Sequence, residues 1–371
     1  MKPVSNPPSL YIKITCVLVS ILVAGYLFIL GKEILSPLFF AALLAIVLLP
    51  AATFFERNCK MNKSMAAIVT VLLFLFFAAL LFYVLGGQGH ALAKQWPQFN
   101  IQLQSSLTQM QTWVSATLNI KLDKQLVYIN NASDKFLTNG TTMIGSTLVS
   151  LSAMLFFILF TSIYTVFFLR YRVLIMQFFT GIFHKRNMAM VRTIAKEIQS
   201  IIRQYILGLF IEMGTVSAAL CIIFTIAGIP YGILLGLFGG LLNLIPYLGI
   251  FITLIISALI TFATAGISKV FLVIVILVIT HLVDSNLLFP WIVGSKVRIN
   301  PMAMIAGVVT GGLIWGVSGM FLSIPVMAIL KIIFDRVEAL KPWGVLLGSG
   351  DKESHRGKIS VLIKRTLSKK E

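Results

Sequence analysis

Residues 231–265 read YGILLGLFGGLLNLIPYLGIFITLIISALITFATA, a run of 35 residues without a charged side chain. A helix that crosses the hydrocarbon core of a bilayer needs about 20 apolar residues, so this run is too long for one span. It is also interrupted near its centre by Asn243 and by residues 245–249, IPYLG. Proline removes a backbone donor and glycine permits a sharp turn. The run therefore predicts a pair of helices broken at membrane depth.

Apolar runs also fill most of the remaining chain. The 371 residues are 58% hydrophobic and 11% charged, with a mean hydropathy of +0.97, whereas soluble domains carry about 25% charged residues. Further spans are predicted at 10–30, 34–55, 64–85, 146–169, 204–227 and 268–291, with a second interrupted run at 301–333. The sequence thus predicts an all-α polytopic membrane protein with about six to eight transmembrane helices. It excludes a soluble enzyme, a disordered chain and a disulfide scaffold.

The two interrupted runs leave two topologies open. If each run enters the bilayer and returns as a re-entrant or broken hairpin, the chain crosses six times. If each run is divided into two full spans, the chain crosses ten times. We favour the hairpins, because dividing the runs gives legs of about 16 residues, short for a full span.

The basic residues indicate which segments face the cytoplasm. The chain carries a net charge of +18, and 23 of its 30 Lys and Arg residues lie in 1–63, 170–203 and 331–371. Basic residues accumulate in short cytoplasmic loops of helical membrane proteins, so both termini are predicted to be cytoplasmic. The basic tail is then an orientation signal that contacts anionic lipid. Nucleic acid is not an expected partner, because no basic module interleaved with aromatic residues accompanies the charge.

Five segments are predicted along the chain. They are N-terminal transmembrane helices (1–85), a small extramembrane helical module (86–145), a transmembrane helix with an interfacial helix (146–203), a transport core with broken helices (204–345) and a basic cytoplasmic tail (346–371). A Gly-Gly-Gln-Gly sequence at 86–89 is expected to end the third span. The module has an amphipathic seam formed by Leu92, Trp96, Phe99, Leu103, Leu107, Met110 and Val114. The seam is expected to pack on a second helix, a neighbouring subunit or the membrane surface.

Few polar side chains lie within the apolar core, and each is a candidate for function. Asn243 and Tyr247 are four residues apart and could bind a small polar ligand, or only satisfy a kink. Asp284 follows His281 by three residues, so the two could relay a proton or bind a small cation. The alternative is that Asp284 anchors a turn near the interface. Glu212 also lies within an apolar span and needs a partner, possibly from another helix.

Glycines recur every four residues at Gly228, Gly232, Gly236 and Gly240. This spacing places them on one helix face, where another backbone can approach closely. A weak internal repeat relates the two interrupted runs, because Pro230 precedes Gly239-Gly240 at nearly the same spacing as Pro301 precedes Gly311-Gly312. Paired segments of this kind are typical of transporters built from inverted repeats.

Motifs for other chemistries are missing from the sequence. It has no P-loop, no G-x-S-x-G and no H-E-x-x-H. Cys16, Cys59 and Cys221 have no metal-type spacing and predict neither a metal site nor a disulfide. No cofactor is expected. The apolar run at 10–30 is too long for a cleaved signal peptide.

A series of these residues resembles the autoinducer-2 exporter family of bacterial membrane proteins, also called PerM-like permeases. The series comprises Arg203-Gln204, residues 228–231 (GIPY), Gly239-Gly240, residues 243–249 (NLIPYLG), Asp284-x-Asn286, Pro290, Asn300-Pro301, Gly311-Gly312, Gly316, Gly319 and Pro325. The resemblance implies a multi-pass transporter of the bacterial inner membrane, assembled as a homopentamer in which each subunit moves its own substrate. Members are linked to autoinducer-2 export, and others to exchange of sodium or lithium ions for protons.

Three functions are therefore open. The first is a permease that moves a small polar molecule by alternating access. The second is a monovalent cation/proton antiporter, and the third is a non-transporting oligomeric scaffold. The predicted substrate-binding or transport residues are Glu212, Asn243, Pro246, Tyr247, Gly249, His281, Asp284, Asn286 and Pro290. The predicted hinge or turn residues are Pro230, Gly239, Gly240, Pro301, Gly311, Gly312, Gly316 and Pro325.

Overall fold

A computed structural model describes residues 10–94, 152–182, 188–245, 248–292 and 299–348, and residues 101, 105, 108 and 112 individually. The helices in these segments are α1 (Leu10–Leu30), α2 (Lys32–Asn58), α3 (Lys63–Lys94), α4 (Ser152–Arg170), α5 (Arg172–Ile182), α6 (Met188–Ile226), α7 (Gly232–Leu242), α8 (Leu248–Ala265), α9 (Ile267–Val283), α10 (Phe289–Ile292), α11 (Pro301–Trp315), α12 (Val317–Arg336) and α13 (Lys341–Leu347). A π-helical turn at Asp284–Leu288 joins α9 to α10. A 3₁₀ turn at Glu338–Leu340 precedes α13.

The predicted all-α polytopic class is confirmed. In the described segments, seven helices are long and apolar enough to cross a membrane: α2, α3, α4, α6, α8, the continuous stretch Ile267–Ile292, and α12. Their apolar side chains are largely exposed, as expected of surfaces that face lipid rather than water. Helix α6 has 39 residues, so at 1.5 Å per residue it is about 58 Å long and exceeds the bilayer core.

Both interrupted runs fold as two helices each. In the first run, α7 has 11 residues and α8 has 18, and the chain between them makes tight turns in which Ile245 N donates to Leu242 O at 2.9 Å. Pro246 and Tyr247 lie outside the described residues. In the second run, the chain turns at Gly316, whose φ of 63° is readily available to glycine. Hairpin topology within the bilayer remains a prediction.

An N-cap explains where the second pair of helices starts, and small residues explain why α11 and α12 pack closely. The Asn300 side chain accepts a hydrogen bond from Ala303 N at 2.6 Å, and Pro301 occupies the first turn, where no donor is lost. Ser323 Oγ on α12 donates to the Gly307 carbonyl on α11 at 2.8 Å. A Cβ added to Gly311 would meet the Gly319 backbone, so the two helices touch through glycine. Pro325 lies inside α12.

The prediction of a helix break at residues 86–89 is wrong. Helix α3 continues through residues 86–89 to Lys94, although Gly-Gly-Gln-Gly was expected to end it. Glycine in a helix costs about 1 kcal/mol relative to alanine, which is too little to end a long apolar helix that has no proline. The rest of the predicted 86–145 module lies outside the described residues, except for four isolated positions. Its seam and the five-segment division therefore remain predictions.

The helices group into two compact units. The first comprises the described parts of 1–32, 173–205 and 295–371, and includes the pair α11–α12. The second comprises the described parts of 33–172 and 206–294. In the second unit, Arg172 on α5 forms two hydrogen bonds with the Glu56 carboxylate on α2, at 2.8 and 2.6 Å. In the first, Arg336 on α12 pairs with Glu197 on α6 at 2.8 Å.

Candidate functional site

Three of the four glycines of the predicted stripe, Gly232, Gly236 and Gly240, bring α7 against α6, whereas Gly228 lies in the turn before α7 with a φ of 63° and is not on the helix face. A Cβ added to Gly232 would come within 2.9 Å of the Phe224 side chain, and one added to Gly236 within 2.8 Å of Cys221 Cα. At Gly240 the added atom would lie 2.6 Å from the Met213 carbonyl oxygen. Side chains at these positions would separate the helices, so the stripe sets the register of α7 on α6.

This register places Asn243, directly after α7, next to two acidic side chains. Asn243 Nδ2 donates to Glu212 Oε1 on α6 at 3.0 Å and to Asp284 Oδ2 after α9 at 3.1 Å. One amide group therefore bridges two carboxyl groups from different helices. We call these three residues, Glu212, Asn243 and Asp284, the carboxyl cluster.

The carboxyl cluster is buried among apolar side chains. Glu212 is 3% exposed and Asp284 is 6% exposed. A hydrophobic core contributed by α6, the α6–α7 turn, α7 and α9 is formed by Val216, Leu220, Phe224, Ile229, Leu235, Val273, Ile276 and Leu277. Val216, Leu220 and Leu277 of this core border the same small cavity as Asp284. Because burial in an apolar environment penalises an unpaired charge heavily, the state of the two carboxyl groups must be balanced by protons or by a bound cation.

The backbone at Asp284 departs from the regular helix. Asp284–Leu288 form a π-helical turn, and Phe289 N donates to the Asp284 carbonyl. Such turns insert one extra residue per turn and frequently occur at functional sites. Here the turn ends α9 at Asp284, a member of the carboxyl cluster.

Each acidic side chain keeps one oxygen free of protein donors. Within the described segments, Glu212 Oε2 and Asp284 Oδ1 have no hydrogen-bond partner, and neither carboxyl group is paired with Lys or Arg. The two groups are also close enough to repel one another when both are charged. Two buried carboxyl groups that meet at one amide and keep one free oxygen each suit a shared proton or a small cation with a preference for oxygen ligands.

A small cavity adjoins Asp284. Its free volume is about 10 Å³, roughly the space one water molecule requires. Polar residues in its wall are Asn243, Thr253, Thr280, His281 and Asp284. Within the described part of the chain, Thr253 Oγ1 and His281 Nδ1 are buried without a hydrogen-bond partner. The cavity wall therefore offers unused polar atoms beside the free Asp284 oxygen.

Gly239 is part of the cavity wall, whereas the other predicted site residues named below are not. Gly249 packs against the Leu242 carbonyl, where a Cβ would not fit. Asn286 is exposed and donates to Leu282 O at 2.8 Å, and Pro290 is exposed in α10. Pro230 lies in the turn between α6 and α7, and Gly239 packs on Leu220 and Thr253. Gly312 packs on Met320.

Sequence reasoning did not single out Thr253 or Thr280. Threonine is common in apolar helices, so only its spacing could have pointed to Thr253, which lies one turn after Gly249. The partner of Glu212 was also left open, because Asn243 is 31 residues away and on another helix. The contact between Glu212 and Asn243 depends on the close packing of α7 on α6 through glycines that the sequence analysis did identify.

The bridging amide gives a direct test of the cluster's geometry. Replacing Asn243 with Leu removes both donated hydrogen bonds while keeping a similar volume. We expect this variant to lose about 1–3 kcal/mol of unfolding free energy, because two buried acceptors lose their donor. Thermal denaturation in detergent measures the change. Asn286→Leu, at an exposed position, is the control and should change stability by less than about 0.5 kcal/mol. Equal losses would contradict the bridging role.

Relatives of the chain are named as transport proteins. It is 27% identical to YueF of Bacillus subtilis over 80% of this chain and 82% of that protein. It is 23% identical to the AI-2 transport protein TqsA of Escherichia coli K12, over 95% of this chain and 99% of TqsA. It is 32% identical to YrrI of Bacillus subtilis, over 40% of this chain and 41% of YrrI.

The match to a family model covers both compact units. The model describes the AI-2E family transporter and aligns with residues 17–339, a range that includes the carboxyl cluster, the glycine stripe and both broken helix pairs. The predicted resemblance is thereby confirmed, and a transport role follows from it: the chain belongs to the AI-2E transporter family.

Proposed function

We propose that this transporter exchanges a small monovalent cation, sodium or lithium, for protons at the carboxyl cluster. The observation that carries the proposal is the pair of buried carboxyl groups bridged by Asn243, each with one free oxygen. Oxygen ligands suit these cations, and the adjoining cavity of about 10 Å³ has room for an ion or a water molecule.

Competition between the two ions explains the exchange. When the cluster is protonated, the two carboxyl groups can lie together without repulsion. When a cation enters, it supplies the balancing positive charge, and the proton leaves. Asn243 holds the carboxyl groups at a fixed separation in both states. One proton or one cation neutralises one of the two carboxylates, so both loaded states carry a single negative charge, whereas the empty and fully ionised state carries two and is disfavoured in a low-dielectric interior. That restriction couples the two fluxes.

The broken helices support alternating access as the transport mechanism. Asn243 lies where α7 ends, and the interrupted segment between α7 and α8 is adjacent to the cluster. Discontinuous helices at membrane depth are typical of transporters that open first to one side and then to the other. The predicted hinge residues would act at these interruptions and at Gly316 between α11 and α12.

A small polar molecule is the second candidate substrate. The relative TqsA is named as an AI-2 transport protein, and its similarity covers nearly the whole of both chains. A molecule of that kind exceeds the cavity beside Asp284, so it would bind only after the helices around the α7–α8 break separate. Cation exchange at the carboxyl cluster would then drive the transport of this molecule across the membrane.

The proposal includes the membrane, the orientation and the assembly of the transporter. We infer a bacterial inner membrane, both termini in the cytoplasm and a homopentamer, on the basis of the basic segments and the family resemblance. The Glu56–Arg172 pair supports the orientation, since it ties two ends of apolar helices at a segment rich in basic residues.

Reconstitution in liposomes tests the proposed exchange. Proteoliposomes that enclose a pH-sensitive dye should show proton movement when Na⁺ or Li⁺ is added outside, and a smaller response to K⁺, whose lower charge density makes it a weaker partner for carboxyl oxygens. Labelled autoinducer-2 uptake, measured in the same vesicles with and without a sodium gradient, tests the second candidate. An ion response that equals protein-free vesicles would contradict the exchange. Intact oligomers without either flux would favour the scaffold function.

A further inference from the structure

One face of α8 is lined with buried hydroxyl groups. Thr253, Ser257 and Thr261 are spaced four residues apart, which places them in a row along the helix. Their exposed fractions are 3%, 1% and 0%. We call these three residues the hydroxyl face of α8. Neighbouring apolar residues of α8, including Leu254 and Ile260, pack instead against the hydrophobic core.

Two of these hydroxyls differ from most other threonines in the described helices. A threonine in an apolar helix ordinarily donates to the carbonyl four residues earlier, as Thr264 of α8 does to Ile260 O at 2.7 Å. Thr225 of α6 likewise donates to Cys221 O at 2.7 Å. Thr253 Oγ1 and Thr261 Oγ1 are buried without a partner in the described segments. These two hydroxyls are thus available to a ligand.

Leaving a buried hydroxyl unpaired costs free energy, and a valine of the same shape would avoid that cost. Thr253 already borders the cavity beside Asp284. Its hydroxyl can therefore bind a water molecule or an ion in that cavity. Thr261 is not among the residues of that cavity wall, so its unpaired hydroxyl requires a different explanation.

The row runs away from the carboxyl cluster along α8. Gly239 on α7 packs on Thr253, and α8 continues from there to the turn at Gly266, where α9 begins its return. Thr261 is eight residues beyond Thr253, about 12 Å along the helix, and successive hydroxyls are about 6 Å apart. That interval suits one bridging water molecule, or one cation, between neighbouring hydroxyls.

The end of the row at Gly266 is also polar. Lys269 Nζ on α9 donates to the Ala227 carbonyl at the end of α6, at 2.6 Å. Its positive charge is engaged by the negative end of the α6 dipole. The hydroxyl face of α8 thus begins beside the carboxyl cluster and ends at Thr261, five residues before Gly266, and the charge of Lys269 is held at the Ala227 carbonyl.

We propose that the hydroxyl face of α8 is a route by which the monovalent cation moves between the carboxyl cluster and the Gly266 end. Hydroxyl oxygens would replace part of the ion's water shell at each step, with Thr253 passing the ion to Asp284. This inference rests on the proposed cation exchange, and it assigns Ser257 and Thr261 a role in transport that the carboxyl cluster alone does not require.

Thr261→Val tests the route, because it removes a hydroxyl and keeps the shape. In the liposome assay at sodium concentrations below saturation, we expect the initial rate of exchange to fall about fivefold, as for the loss of one hydrogen bond. Thermal stability should be unchanged or raised, since an unpaired buried hydroxyl is lost. Thr261→Ser, which restores the hydroxyl, should recover the rate. Thr264→Val is the matched control on the same helix and should transport normally.

The outcomes separate the route from the exchange itself. Slow exchange in Thr261→Val with normal sodium-induced stabilisation of the protein supports the route, because binding at the distant cluster is preserved. Normal exchange in Thr261→Val overturns the route and leaves the exchange standing. An equal loss in Thr264→Val also overturns it, since general disturbance of α8 would then explain both. Unaltered protein that shows no ion-dependent flux overturns the exchange and the route together.

Discussion

Asp284→Asn is expected to reduce sodium- or lithium-dependent proton movement to the level of protein-free liposomes. The substitution keeps the size of the side chain but removes the group that alternately holds a proton and balances a cation. The protein should remain folded, because Asp284 is 6% exposed and makes no described ion pair, so a neutral side chain avoids the cost of burying a charge. Proton movement is read from the enclosed dye, and folding from gel filtration.

Two further variants make this result specific. Glu212→Gln should abolish exchange as well, because it removes the second carboxyl group of the same cluster. Asp335→Asn is the control: Asp335 is a surface partner of Lys331 on α12 and is not part of the cluster. Full exchange by Asp284→Asn, or an equal loss in Asp335→Asn, would contradict the assignment of the carboxyl cluster as the exchange site.

Gly240→Ala is expected to destabilise the protein by about 1–3 kcal/mol, the usual cost of overpacking a tight interior. The added methyl group would lie 2.6 Å from the Met213 carbonyl oxygen and 2.8 Å from Ser217 N, so α7 must move away from α6. That movement also displaces Asn243, three residues later, from Glu212. Exchange should therefore slow together with the fall in melting temperature.

Gly214→Ala is the matched control for this prediction. Gly214 lies in α6, and an added Cβ there meets nothing within 4 Å. Alanine favours a helix over glycine by about 1 kcal/mol, so this variant should be as stable as the unaltered protein or more stable. A melting temperature that falls equally in both variants would mean that the glycine stripe does not control the α6–α7 contact.

The sequence predicted the fold class, and it singled out Glu212, Asn243 and Asp284 without predicting the contacts among them. Glu212 and Asp284 stood out because charge is scarce in the apolar core, and that scarcity follows from the cost of burying ions. Asn243 stood out because it precedes a proline in a broken run. The pairing of Asn243 with both carboxyl groups was not predictable, since it depends on contacts among three helices.

Nearness in sequence to Asp284 does not place Asn286 in the carboxyl cluster. Asn286 is two residues from Asp284, which turns its side chain to another side of the helix, and it is exposed. Thr253 and Thr261 were missed because threonine is unremarkable in a transmembrane helix until its hydroxyl lacks the usual carbonyl partner. The helix break expected at 86–89 failed because glycine without proline only weakens a long apolar helix.

Proton release on cation binding tests the carboxyl cluster most directly. Purified protein in detergent and weak buffer is titrated with sodium or lithium chloride while a dye follows the pH. If the cation displaces a proton held between Glu212 and Asp284, the solution should become more acidic in a saturable manner, and Asp284→Asn should abolish the change. No acidification by the unaltered protein, or the same acidification by Asp284→Asn, would contradict exchange at this cluster.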